Sequence, residues 1–313
     1  MKAQPRKRHV VYVRTLVYLI LAVLLVWLIV RQRNSFGQAM ASIRQADLGW
    51  LSIGIAAMLA SLPATALVYK ALSPKPLRFG RTLLVQTAGF CVNKLLPSGS
   101  GAAGVSFLYL KANKVPNVLA GAMVVLNNLL GLIGHLILFW VLIALEPSAL
   151  SKIKIRQDIL HTSLGLMLAG FVLLVGLAIV FREKLRRVAK PLGALLANRY
   201  SLLRALAASM ALTFCYVISL LASAQAIGVD LTLATAIIVL STSVLATSVV
   251  PTPGGIGAAE AGAYTGLIAL GVDMKSALAA AILFRVCTFW VPLLVGSVAF
   301  VYVAKRGYLK STS

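Results

Sequence analysis

Pro251-Thr-Pro-Gly-Gly255 interrupts an otherwise apolar stretch of this chain, and Pro97-Ser-Gly-Ser-Gly101 interrupts another 154 positions earlier. A backbone amide or carbonyl left without a partner in lipid costs several kcal/mol, so a helix breaks at membrane depth only where protein or a wet cavity satisfies it. Paired breaks in corresponding places of two halves point to a binding site at the repeat interface of a transporter.

The composition agrees with that context. The 313 residues are 60% hydrophobic and 12% charged, and recurrent apolar runs of about 20 residues make this a polytopic membrane protein, not a soluble domain. Cys91, Cys215 and Cys287 fall inside apolar segments, where a free thiol behaves as a small hydrophobe, so no disulfide framework or metal site is expected. The basic start, residues 1–9, leads into an apolar run over 10–30 that is too long for a signal-peptide core and is read as a retained first span. Further spans are expected at 48–68, 118–144, 161–181, 205–227 and 276–302, with broken hairpins at 82–112 and 232–271.

A net charge of +23 in a soluble protein would suggest nucleic acid, but here the bases lie in the connections and report orientation. Placing the N-terminus in the cytoplasm puts 21 of the 30 Lys and Arg residues on that side, with the largest contribution from 182–204. Both termini are therefore expected inside. The 182–204 loop is topogenic, with contact to anionic headgroups as a second reading.

The residues from Leu77 to Gly104 align with Leu231 to Ala258, pairing Asn93 with Thr247, Pro97 with Pro251 and Gly101 with Gly255. Each half, 1–157 and 158–313, then reads as three spans plus a broken or re-entrant hairpin within one membrane domain. An odd number of spans per half makes the second half enter from the opposite side, an inverted repeat. The two tips are expected to approach each other near the midplane. Small residues that merely let helices pack closely are the plainer explanation of the same Gly and Pro content.

Polar residues inside apolar segments are costly and usually face a cavity or a partner. Glu260 is the only acid within any such segment and follows Gly254-Gly-Ile-Gly257. Its plain role is to complement its own helix dipole or to pair with a cation. Arg285 lies about 14 Å into the last span at 1.5 Å per residue, too deep to snorkel. It calls for a partner, either Glu260 or an anionic group on a substrate. Asn127 and Asn128 occupy matching depth in the third span, and Asn93 and Lys94 precede the first break, so all of these are candidates to line one polar cavity. Lys94 also reads as an interfacial snorkeller. His135 is expected to bond between helices, and Ser241, Thr242, Ser243, Thr247 and Ser248 to satisfy helix carbonyls or pack closely.

Asn93-Lys-Leu-Leu-Pro97 with its Gly-rich turn, and above all Pro251-Thr-Pro-Gly-Gly-Ile-Gly-Ala-Ala-Glu260, resemble the two signature segments of the lysylphosphatidylglycerol synthase transmembrane-region family, also called flippase-like or UPF0104 proteins. The resemblance covers nearly the whole chain and is to the flippase part of multiple peptide resistance factor proteins, without their synthase part. It implies translocation of a polar-headgroup lipid, a phospholipid or a polyprenyl or hopanoid type, across the bacterial inner membrane, and no lysyl transfer. The family often has an acid with a nearby Arg after the first Gly turn, where this chain has Ala102-Ala-Gly-Val-Ser106, so charge in the first half of the site is reduced.

The expected mechanism is a rocking of inverted halves about a midplane cavity. Backbone amides at Gly99, Gly101, Gly254, Gly255 and Gly257 donate to an anionic headgroup, Pro97, Pro251 and Pro253 shape the tips, Arg285 meets phosphate, and Glu260 balances it or carries a proton. No cofactor and no metal is expected, and neither break matches a nucleotide-binding loop. The partners are a membrane lipid and the bilayer, with a homo-oligomer or an envelope-biosynthesis protein as further candidates. A lipid-linked transferase and a non-transporting assembly partner are the alternatives. The former lacks a visible acid/base or metal constellation, since the chain has seven acids and three dispersed histidines.

Overall fold

The computed structural model describes residues 40–96, 100–153, 193, 195–250 and 252–309. The expected spans at 10–30 and 161–181 lie outside the described residues, as do Pro97, Gly99 and Pro251. Among the described residues the fold is helical and without strands.

Among the described residues three single helices are long and apolar enough to cross a membrane: α1 (Leu48–Leu72), α4 (Asn117–Leu145) and α6 (Arg199–Gln225). A fourth crossing runs over Met274–Lys305. These stretches of 25 to 32 residues reach about 37 to 48 Å at 1.5 Å per residue, more than the roughly 30 Å of hydrocarbon. Local chemistry sets their starts. Asp47 caps α1 by accepting from Gly49 N at 2.6 Å, and Asn198 caps α6 by accepting from Ser201 N at 3.1 Å. Asp273 caps the last crossing through Lys275 N and Ser276 N at 3.0 and 3.1 Å. Each cap satisfies amides that the first helical turn leaves without partners.

The broken hairpins are α2 (Phe79–Leu95) with α3 (Ser100–Ala112), and α7 (Leu233–Val249) with α8 (Ala258–Ala269). The arms of 12 to 17 residues reach only about 18 to 26 Å, a length suited to turning back within the bilayer. A short helix, α5 (Ser148–Ser151), follows α4. The last crossing is not one continuous α-helix. It comprises α9 (Met274–Arg285), a π turn over Val286–Trp290, and α10 (Val291–Lys305).

The expected boundaries differ by a few residues from those observed, because charged ends such as Arg199 and Lys305 extend helices past their apolar centres.

Helices in lipid gain little from hydrophobic contact with each other, so close packing through small residues holds them. α1 runs along α6, with Gly54 facing the Ser219 carbonyl and Cys287 of the π turn. Gly134 of α4 meets Met210 of α6. On α8, Gly262 and Gly266 lie four residues apart against α7, where a Cβ at Gly262 would stand 2.6 Å from the Thr242 carbonyl. α10 packs on α2 through Gly296, where a Cβ would come within 2.8 Å of the Thr87 carbonyl. Around these contacts lie two apolar clusters, one including Tyr109, Leu110 and Met123 and the other Leu220, Ile237 and Leu267. Leu132, Leu136 and Trp140 of α4 and Leu294, Val298 and Val301 of α10 remain exposed and present apolar faces to lipid.

Hydroxyls close the polar account of the second hairpin. Thr242 Oγ1 donates to Gly262 O at 2.8 Å and Ser243 Oγ to Ala259 O at 2.9 Å, joining α7 to α8. His135 of α4 bonds Ser241 of α7 at 2.9 Å, an interhelical link. The series Ser241 to Ser248 thus largely satisfies helix carbonyls.

Replacing Gly296 by Val should push α10 off α2 and lower stability by about 1–3 kcal/mol, the usual cost of overpacking. Gly121→Ala is the control, since a Cβ there meets nothing within 4 Å. Thermal unfolding in mild detergent should show a lowered midpoint for Gly296→Val and an unchanged or slightly raised one for Gly121→Ala.

Candidate functional site

The second break, from Val250 to Gly257, folds into consecutive turns that require left-handed backbone at Gly254, Gly255 and Gly257, with φ of +59°, +71° and +81°. Only glycine adopts such angles without strain in a tight run. Gly254 has a further reason to lack a side chain. A Cβ there would stand 2.5 Å from the Phe289 ring and 2.8 Å from the Lys94 carbonyl. The second break therefore presses directly against the end of α2.

Arg285 holds this junction. It is only 7% exposed, and a buried guanidinium needs its charge and its donors satisfied. Its Nε donates to Glu260 Oε1 at 2.8 Å, and its Nη2 donates to the Gly254 carbonyl at 3.0 Å. Glu260 uses its other oxygen, Oε2, to accept from Gly257 N at 2.8 Å. One arginine thus ties the last crossing to the break and to the first turn of α8.

The π turn that follows has a local cause. Pro292 lacks an amide and its ring crowds the carbonyl four residues earlier, that of Thr288. The ladder widens just upstream, with Val291 N bonding Val286 O. π turns inside α-helices often mark functional sites. Here the turn carries Thr288 and Phe289 beside the junction. The Arg285 guanidinium lies 4.8 Å from the centre of the Phe289 ring and the Lys94 ammonium 5.6 Å from it, both within cation–π range.

A cavity of about 400 Å³ opens at this junction. Asn93, Lys94 and Leu96 line it from the first hairpin, Ser243, Thr247, Ser248, Thr252, Gly254 and Gly255 from the second, and Tyr216, Phe284, Arg285 and Thr288 from α6 and the last crossing. The Thr252 hydroxyl is buried in its wall and has no hydrogen-bond partner. Among the described residues Glu260 is the carboxylate near Lys94 and Arg285, and both its oxygens already accept hydrogen bonds. The cavity therefore carries an excess of positive charge with donors to spare, chemistry suited to a phosphate or carboxylate.

A second cavity of about 300 Å³ lies between α1, α2, α3, α4 and α6. Its polar lining includes Gln86, Asn93, Ser106, Asn127, Asn128 and Ser209, and no charged side chain among the described residues. Asn93 lines both cavities, and its Oδ1 accepts from Ala102 N at 3.4 Å near the start of α3.

The candidates thus fall into three groups. Asn93, Lys94, Gly254, Gly255 and Arg285 surround the first cavity, whereas Asn127 and Asn128 belong to the second, so the single cavity expected from matching depth is two. Gly101, Gly257 and Glu260 stand behind the wall. Gly101 is packed against Val92 and Asn93, and Pro253 is exposed away from both cavities. The expectation that break amides are free for a headgroup is corrected for two of them. Gly255 N bonds Thr252 O at 3.1 Å and Gly257 N bonds Glu260, so the turns use these donors internally. Sequence reasoning missed Phe289, Tyr216, Thr252, Thr288 and Gln86. The Pro292 signal for a π turn was readable and would have drawn attention to Thr288 and Phe289.

Among the described residues no group of three or more His, Cys, Asp and Glu side chains is placed to hold a metal ion.

Spanning helices and interrupted hairpins meeting at a polar cavity define a polytopic helical membrane protein of flippase-like design. A family model, the lysylphosphatidylglycerol synthase TM region, matches residues 15–296, and the chain belongs to that family. No curated protein matches it.

Removing one partner of the buried pair leaves the other charge stranded. Glu260→Ala should cost about 2–4 kcal/mol, somewhat below the usual range for buried pairs because the Glu260 side chain is 29% exposed. Glu260→Gln with Arg285→Met together should cost less than the two single losses added. Unfolding midpoints of the singles and the double give the coupling; simple additivity would mean that the pair does not hold the junction.

Proposed function

We propose that the protein carries a lipid with an anionic headgroup across the membrane, the headgroup passing through the cavity at the hairpin junction while the acyl or prenyl chains stay in lipid. The observation that carries this reading is the pair of cations, Lys94 and Arg285, facing a cavity where the one nearby carboxylate among the described residues is already engaged. Leu96 and Val244 line the same cavity and are exposed, which leaves an apolar rim for the chains. Family membership supports a lipid-handling role.

The packing pattern also favours two inverted halves, 1–157 and 158–313. α1 pairs with α6, its counterpart in the second half. α2 packs on the last crossing and α7 on α4, an exchange of hairpins between halves. Gly101 packs against Asn93 as Gly255 packs against Thr247, matching the pairs expected from the 154-residue offset. In this reading the second hairpin enters from the side opposite the first, and rocking about the junction exposes the cavity to each leaflet in turn. The Lys and Arg distribution favours both termini in the cytoplasm of a bacterial inner-membrane protein.

Glu260 acts here as a positioning residue for Arg285 and does not touch the headgroup. Lys94, whose ammonium lies over the Phe289 ring, is the cation that moves toward a phosphate.

The test is reconstitution into vesicles with a panel of fluorescently tagged anionic phospholipids, following quenching of the outer leaflet. The wild type should move at least one of them faster than protein-free vesicles do. Lys94→Met should slow that movement by about tenfold or more, the loss of one charge-assisted contact. Arg285→Lys should also slow it, because an ammonium does not reproduce the two-pronged hold on Glu260 and Gly254. Movement no faster than in empty vesicles for every lipid, with folded protein, would favour an assembly role instead.

A further inference from the structure

The second cavity differs from the first in that its described lining residues carry no charge. Gln86 is 3% exposed, and its Oε1 accepts from Ser106 Oγ at 3.2 Å while its Nε2 is buried with no hydrogen-bond partner. If the amide is turned about, Oε1 becomes the group without a partner, so one end of this side chain is left for something in the cavity in either orientation. A buried polar group without a partner is costly and uncommon. Asn127 and Asn128, with amides 3.5 Å apart, line the chamber from α4. Asn128 is exposed and forms its rim.

Amides and hydroxyls supply donors and acceptors together, which is the pattern that matches hydroxyl groups, themselves both donor and acceptor. A cationic headgroup needs a carboxylate, and among the described residues neither cavity has one in its lining. Ala102 and Ala103 occupy the wall where α3 begins. Of the seven acids in the chain, Asp47 and Asp273 cap helices, Glu146 pairs with Lys152 at the end of α4, and Glu260 is held by Arg285. Asn93 stands in the walls of both cavities and so places the neutral chamber next to the cationic one.

We infer that the chamber around Gln86, Ser106, Asn127 and Asn128 is a second subsite, which takes the neutral, hydroxyl-rich part of a headgroup whose phosphate sits at Lys94 and Arg285. The cargo is then a phosphate-bearing lipid ending in a polyol or sugar, and a lipid whose headgroup carries an aminoacyl cation is disfavoured. This inference rests on the anionic-lipid reading above and narrows it to a substrate class.

The test is binding to the purified full chain in detergent, with dioctanoyl phosphatidylglycerol, dioctanoyl phosphatidic acid, dioctanoyl lysylphosphatidylglycerol and free glycerol 1-phosphate as probes. Phosphatidylglycerol should bind about tenfold or more tightly than phosphatidic acid, the worth of one or two well-placed hydrogen bonds, and more tightly than the lysyl lipid. Gln86→Leu should bring the first two dissociation constants together. Asn128→Ala, at the exposed rim and harmless to the core, should shrink the same ratio. Equal affinity for phosphatidylglycerol and phosphatidic acid in the wild type, a ratio unchanged in both variants, or tightest binding of the lysyl lipid would each overturn the second subsite and leave the anionic-lipid reading standing. Binding of none of the three lipids would overturn both. Glycerol 1-phosphate binding as tightly as phosphatidylglycerol would sustain the subsite and remove the lipid reading, making the ligand a soluble phosphate.

Discussion

A guanidinium placed deep among apolar helices is the constraint around which this protein is arranged. Arg285 is stable there only because Glu260 and the Gly254 carbonyl receive its donors in fixed geometry. Both partners belong to the second break or the turn after it, so satisfying one side chain also fixes the path of that break. The backbone turns at Gly254, Gly255 and Gly257 follow, since the carbonyl must point at Arg285 and the Gly257 amide at Glu260. The π turn after Arg285 then decides which side chains stand next to the guanidinium, and Phe289 becomes the surface shared by Arg285 and Lys94.

Close approach is the second requirement, and glycine meets it at the places where helices or tips touch. Gly254 admits the Lys94 carbonyl, Gly296 admits α2, and Gly262 with Gly266 admits α7. Each contact brings backbone near backbone, where a side chain would hold the elements apart. The packing explanation of the Gly-rich content and the binding explanation are therefore not rivals. The same small residues that close the helices together bring the second break against the end of α2, and the cavity opens beside that contact.

The two cavities divide their chemistry. Charge is concentrated at the junction, where Lys94 and Arg285 outnumber Glu260, while the chamber walled by α1 to α4 and α6 is polar and neutral. In a medium of low dielectric such a division is selective, because an anion is favoured on one side and an unpaired charge of either sign is disfavoured on the other. The carboxylate that balances the junction is withdrawn into the wall, so it sets the position of Arg285 and leaves the net charge of the cavity positive.

The amino-acid sequence by itself determined the membrane class, the four long crossings among the described residues, the two hairpins and the places where they break. Apolar run length and Pro/Gly punctuation are local properties, and the expected 48–68 and 118–144 differ from Leu48–Leu72 and Asn117–Leu145 only at the ends. The lone acid and the deep arginine were also legible, because each is anomalous in its own segment. Tertiary structure decided what these residues do. That Glu260 spends both oxygens on Arg285 and Gly257, that Asn127 and Asn128 lie in a different cavity from Lys94, and that Gln86 is left without a partner are contacts between elements far apart in the chain. Depth along a span follows from counting residues at 1.5 Å each, but the direction in which a side chain faces around the helix depends on neighbours that no single segment contains.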